Sequence, residues 1–222
     1  MKITRLKTNH ITNPLGFTLG TPRLSWVTED TISKRQAAAQ VQVAADEAFS
    51  NILFDSGKQA EIDSLAYPLP IALKPATRYY WRVKVWGDAG DSAESETAWF
   101  ETAKMDQPWQ AEWITPDWED NQVHPLLRKS FSLPADAVSA RAYVCGLGLY
   151  RLEINGRRVG DEYLTPNFNA YDRWIQYQTY DVTGLLKAGA NAVGAMLGNG
   201  WYKGRFGFDG HRDSLYGDRF AL

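Results

Sequence analysis

One cysteine, Cys145, stands in the 222-residue chain, so no internal disulfide can form. It lies in the apolar run AYVCGLGLY, which predicts a buried small hydrophobe. No apolar stretch approaches the length of a membrane span. The opening MKITRLKTNHITNP carries basic residues without an apolar run behind them, so it does not read as a secretory signal, and a cytoplasmic location is expected. Charge of one sign is also lacking. The net charge of -2 leaves no electrostatic footprint for nucleic acid or an anionic membrane, and neither is expected as a partner. No long helical period occurs anywhere.

Aromatic residues are plentiful, with 9 Trp and 11 Tyr. Two readings stand side by side. Large flat side chains fill β-sandwich cores, and they also stack on the apolar face of a pyranose. The length suits one large β domain or two ordinary ones, and the 44% hydrophobic content suits a real core.

The strand signals divide into two sets. In LKPATRYYWRVKVW, Tyr79, Trp81, Val83 and Val85 alternate with Tyr80, Arg82, Lys84 and Trp86, the pattern of a half-buried strand. Pro75 and Thr77 precede it in a turn to which the Tyr79 hydroxyl can return, a tyrosine corner. PRLSWV and QVQVAAD alternate likewise. A helical turn is expected from Glu47 to Asn51 with Asp46 as its cap, then a short strand at Ile52–Phe54. GDAGDSAESE is a charged hairpin loop, and AWFETA is the closing strand. L-x-P-x-T-x-Y, V-x-V and F-x-T in this order resemble a fibronectin type III domain, expected over residues 1–104.

Residues 105–125 form a linker with proline, acidic residues and three tryptophans. Trp109 and Trp113 are expected to anchor the two domains to each other. Strands resume in 126–222 with LLRKSFSL and ARAYVCGLGLYRLEINGRRVG, where Asn155-Gly156 signals a tight hairpin. YQTYDV is a further strand, after which Asp181 is expected to cap a helical turn through Thr183–Leu186. AVGAML is expected to be a buried strand. A jelly roll needs about eight strands, and this half offers fewer. An incomplete jelly roll, and a chain that is part of a longer protein, are therefore expected.

The last feature is GNGWYKGRFGFDGHRDSLYGDR, from Gly198. Its glycines recur too often for a helix, and a loop at the sandwich rim is expected. Asn199, Trp201, Tyr202, Arg205, Asp209 and Asp213 are the candidates for sugar contact: rings to stack, polar groups to pair with hydroxyls. The same residue types suit a buried protein interface, and the sequence leaves the two readings level. Asn199, Asp209 and Asp213 are hard oxygen donors of the kind calcium takes, though the run matches no calcium-loop pattern, so no cofactor is assigned. His211 has no cysteine partner and makes no zinc set. Asp209 and Asp213 sit on a glycine-rich loop with nothing to bury them, so no catalytic residue is assigned. TPNFNAYDRW, Thr165 to Trp174, is a second polar-aromatic loop that could lie beside the first.

Taken in order, NPLG, TPRLSW, Q-x-Q-V, D-S-G, RYYWRVKVW, W-x-x-x-W-I, CGLGLYRLEINGRRVG, Y-Q-T-Y-D-V-T and GNGWYKGRFG resemble the N-terminal portion of bacterial α-L-rhamnosidases, and the resemblance spans essentially the whole chain. It implies an all-β protein: a fibronectin-like sandwich followed by a jelly roll of a type linked to sugar recognition. It also implies that a later (α/α)6 barrel, absent from these residues, performs inverting hydrolysis with a carboxylic acid and a carboxylate base. The expected partners are that barrel and rhamnose-containing carbohydrate. An autonomous carbohydrate-binding module and an adhesion or scaffold fragment are the alternatives.

Overall fold

The computed structural model describes residues 1–118, 123–205 and 214–222, and they divide into two compact units, Met1–Pro108 and Trp109–Leu222. The described residues are almost entirely strand and loop, as the alternating sequence pattern dictates. None of their helices is long and apolar enough to cross a membrane.

The first unit contains β1 (Lys2–Thr8), β2 (Leu15–Phe17), β3 (Arg23–Glu29), β4 (Gln36–Ala44), β5 (Ile52–Asp55), β6 (Tyr67–Pro68), β7 (Arg78–Gly87), β8 (Ser92–Glu94) and β9 (Ala98–Thr102). One sheet runs β1-β3-β6 and the other β2-β9-β7-β4-β5, with β8 also paired to β7. β7 is the axis of the larger sheet, antiparallel to β4 on one side and to β9 on the other. Its Tyr79, Trp81, Val83 and Val85 are all buried, as the period of two requires, and they meet Leu24 and Trp26 of β3 in the core. The tyrosine corner is present: the Tyr79 hydroxyl accepts the Lys74 backbone N–H at 2.8 Å. The Tyr79 ring stacks on Phe100 at 5.1 Å. Tyr79→Phe is expected to cost about 1 kcal/mol, the net worth of one such bond, read from the denaturant midpoint.

The segment after Ala44 corrects one expectation. It is a non-helical turn, with Phe49 at φ 57. Asp46 closes it, accepting the Ser50 N–H at 3.0 Å, the Ser50 hydroxyl at 2.7 Å and the Asn51 N–H at 2.8 Å. A carboxylate that caps this many amides favours a tight loop over a continuing helix. The Ser50 bonds, joined by the Asn51 amide, hold the Asp46 carboxyl below its ordinary value of 3.8. The charged form is the one that is bound, so the contribution is present above that pH and lost as pH falls through the lowered value. Asp46→Asn should therefore lower the melting temperature at pH 7, with the gap closing as pH falls through the lowered value.

The second unit contains β10 (Leu126–Leu133), β11 (Arg141–Val144), β12 (Leu149–Ile154), β13 (Arg157–Arg158), β14 (Gln178–Asp181), β15 (Gly189–Gly198) and one helical turn, α1 (Gly200–Lys203). A four-stranded sheet, β10-β15-β12-β13, faces a core that it shares with a two-stranded sheet, β11-β14. The hairpin between β12 and β13 turns at Asn155 (φ 52) and Gly156 (φ 76), the backbone that the Asn-Gly pair predicts.

Four local expectations are corrected here. β15 is half-buried: Ala195 and Leu197 point to the core while Met196 is exposed, because its strand period turns alternate residues away. Asp181, the expected cap, lies one position ahead of the observed N-cap, Val182. Its carboxylate accepts the Thr183 N–H at 3.1 Å and the Thr183 hydroxyl at 2.7 Å, and the turn over Thr183–Leu185 is a 3-10 turn with Val182 at its start. Cys145 is only half-buried, its thiol 3.5 Å from the Gln176 carbonyl. Lastly, the glycine-rich stretch does form one helical turn, because Gly200 and Gly204 bracket Trp201, Tyr202 and Lys203 without interrupting them.

Candidate functional site

The loop that leaves β15 is fastened by close backbone approach. A Cβ on Gly148 would meet the Gly198 carbonyl oxygen at 2.5 Å, and one on Gly200 would meet Leu149 Cγ at 2.9 Å. Both residues also have positive φ. Glycine is thus required where the start of β12 meets the end of β15. This fixes the direction in which Asn199, Trp201 and Tyr202 depart.

Asn199 lies at the head of α1, where its carbonyl accepts the Lys203 N–H at 3.1 Å and its side-chain oxygen lies 3.4 Å from Lys203 Nζ. The Lys203 ammonium lies 4.7 Å from the centre of the buried Phe220 ring. Trp201 is half-buried and meets Phe168 edge to face at 6.3 Å. Tyr202 meets Tyr171 at 5.1 Å, and Tyr171 also contacts Tyr216 at 5.2 Å. The loop spanning 165–174 therefore does lie beside the loop that follows β15. Arg205 is exposed. Asp209, Asp213 and His211 fall outside the described residues.

The second loop is held from within. The Thr165 carbonyl accepts the Tyr150 N–H at 3.0 Å, and the Thr165 hydroxyl donates to the Tyr150 carbonyl at 3.1 Å. Asn169 is fully buried, and its side-chain oxygen accepts the Gln176 N–H at 3.0 Å. Below, the Tyr150 hydroxyl donates to Gln178 at 2.6 Å and lies 3.1 Å from the Tyr180 hydroxyl. Burial pushes both phenols above their ordinary values, so both stay neutral and act as fixed hydrogen-bonding groups.

A cavity of about 460 Å³ opens in the same unit, lined in part by Trp109, Glu112, Trp113, Tyr143, Cys145 and Tyr177. Trp109 and Trp113 both border this space. Tyr143 lies on β11 and Tyr177 immediately precedes β14, the two strands of the smaller sheet, whose register pairs Tyr143 with Thr179. The segment carrying the tryptophans is held by Ile114, which exchanges backbone bonds with Leu222 at 2.9 and 3.1 Å. Sequence reasoning missed this cavity. The W-x-x-x-W spacing was its one visible sign. Among the described residues no group of three or more His, Cys, Asp or Glu is placed to hold a metal. Of the calcium candidates, only Asn199 is described.

Residues 135–222 match the family model of the α-L-rhamnosidase N-terminal domain, and residues 3–106 match that of the Rha78A-like N-terminal immunoglobulin domain. The chain belongs to the N-terminal region of the α-L-rhamnosidases. An α-L-rhamnosidase of Formosa agariphila is 30% identical over 94% of this chain and 26% of its own length. The crystal structure of an α-L-rhamnosidase from Aspergillus terreus superposes with a TM-score of 0.84 at 32% identity, over 99% of this chain and 26% of that one. That of the Streptomyces avermitilis α-L-rhamnosidase complexed with L-rhamnose gives 0.87 at 23% identity, over 99% and 38%, a likeness of fold. This rhamnosidase N-terminal region spans about a quarter of the length of the curated relatives it matches. Its first unit, read from sequence as fibronectin-like, matches a model named for the immunoglobulin fold, and both names denote antiparallel sandwiches.

Proposed function

We propose that this chain is the non-catalytic N-terminal region of an α-L-rhamnosidase, a β-sandwich platform for a catalytic domain that releases terminal L-rhamnose from glycosides or polysaccharides. The observation that carries this reading is that both matching family models describe N-terminal domains of such enzymes. The acid groups agree with it. An inverting glycosidase needs a general acid with a raised pKa. Among the described residues the carboxyls with a shifted value, Asp46, Asp55 and Asp91, all move downward, and all lie in the first unit. The 222-residue chain should leave 4-nitrophenyl α-L-rhamnopyranoside intact at any enzyme concentration. Release of nitrophenol that scales with the purified chain would contradict the reading.

The convergence of Trp201 and Tyr202 with Phe168 and Tyr171 favours an added role in contacting sugar. Two aromatic loops meeting at the end of β15 offer ring faces for a pyranose, with Asn199 and Arg205 nearby in the chain for its hydroxyls. Calorimetry with L-rhamnose is the test. Binding at millimolar concentration that Trp201→Ala abolishes supports the role, and heat unchanged by that substitution removes it.

A further inference from the structure

The cavity beside Trp109 has a chemically one-sided lining. Four aromatic side chains border it, Trp109, Trp113, Tyr143 and Tyr177, over apolar residues that include Leu152. Trp109 and Tyr177 meet at 87° with ring centres 5.3 Å apart, and Tyr143 is inclined to Tyr177 by 57°. Rings set this way form a corner and do not close into a stack. Trp109 is 44% and Trp113 53% exposed, so the space is open to a ligand. Among the described residues Glu112 is the charged side chain of the lining, and no lysine or arginine borders it. Burial pushes the Cys145 thiol up to about 11, so the cysteine adds no charge near neutral pH.

We infer that this cavity binds an organic cation of the quaternary or methylated ammonium class, held by the faces of Trp109, Trp113, Tyr143 and Tyr177 and by the Glu112 carboxylate. Aromatic faces carry negative potential and attract such cations, most strongly where water is displaced. A quaternary ammonium has no N–H groups, so entering an apolar space leaves no donor unpaired. A pyranose would bring several hydroxyls to a wall with few partners for them, which disfavours it here. An anion would meet Glu112 with no compensating base among the described residues of the lining. The volume of about 460 Å³ is of the size that small-molecule sites have, and it admits a choline-sized group with a further substituent.

The test is a tryptophan-fluorescence titration of the 222-residue chain at constant ionic strength, with choline and with its neutral isostere 3,3-dimethylbutan-1-ol. Choline is expected to give a saturable change in the millimolar range, with the isostere weaker by about tenfold, the factor that about 1.4 kcal/mol of charge-dependent attraction supplies. Glu112→Gln, at an exposed position, should weaken choline several-fold and leave the isostere unchanged. Equal affinity for choline and the isostere overturns the inference, as does no saturable change, or equal binding of L-rhamnose at the same cavity. An unaltered choline affinity in Glu112→Gln overturns the part assigned to the carboxylate. None of these outcomes bears on rhamnoside hydrolysis, so the platform role is judged separately.

Discussion

Asn191→Ala should destabilise the second unit by about 3 kcal/mol, because it strips hydrogen bonds from a site that water does not reach. Asn191 is 3% exposed. Its side-chain oxygen accepts from Asn155 Nδ2 at 2.8 Å and from the Lys187 N–H at 3.1 Å, and its amide nitrogen donates to the Lys187 and Gly189 carbonyls at 2.7 and 2.9 Å. Asn155 continues the network, donating to the Leu185 carbonyl at 2.9 Å and accepting the Ala192 N–H at 2.9 Å. One side chain thus ties the β12–β13 hairpin to the entry of β15. Alanine leaves those backbone groups buried without partners. In a unit of this size, the melting temperature should fall by about 10–15 °C in scanning calorimetry. Asn191→Asp keeps the volume but turns two donors into acceptors that face carbonyls. A loss as large in that variant separates hydrogen bonding from the space alanine vacates; a near-neutral result would show the network to be dispensable.

Phe100→Ala should have the corresponding effect in the first unit. Phe100 is fully buried, on the core face of β9, and its ring lies nearly parallel to Tyr79 with an interplanar angle of 19°. Truncation removes the transfer energy of the ring, opens a void and frees the Tyr79 ring on which the corner depends. The expected cost is about 4 kcal/mol. Phe100→Leu, which refills most of the volume, should cost about 1.5 kcal/mol or less. Equilibrium urea unfolding of the two variants gives the comparison. A loss below about 1 kcal/mol for alanine would mean that the neighbouring strands collapse into the void.

What the sequence disclosed was whatever repeats locally. The alternation along β7 placed Tyr79, Trp81, Val83 and Val85 on one face because a strand has no other way to sort them. Asn155-Gly156 marked its turn because both residues accept positive φ. The pairing of two polar-aromatic loops was visible as composition, at Thr165–Trp174 and after Gly198. What stayed hidden depends on contacts distant in sequence. Asn191 stands out in no local pattern, and only the fold shows its amide making four hydrogen bonds. Tyr143 and Tyr177 are brought together by the pairing of β11 with β14, which starts one residue after Tyr177 and which no local pattern encodes. The helical turn at Gly200–Lys203 was masked by the glycines around it, whose cost is offset by backbone contact with Gly148.

Side-by-side assay of the 222-residue chain and of the full-length product of its reading frame, on 4-nitrophenyl α-L-rhamnopyranoside, is the most direct test of the account. A platform without catalytic groups predicts turnover by the full-length protein and none by the chain. Turnover by the chain at a rate near that of the full-length protein would place the acid and base within these two sandwiches and contradict it.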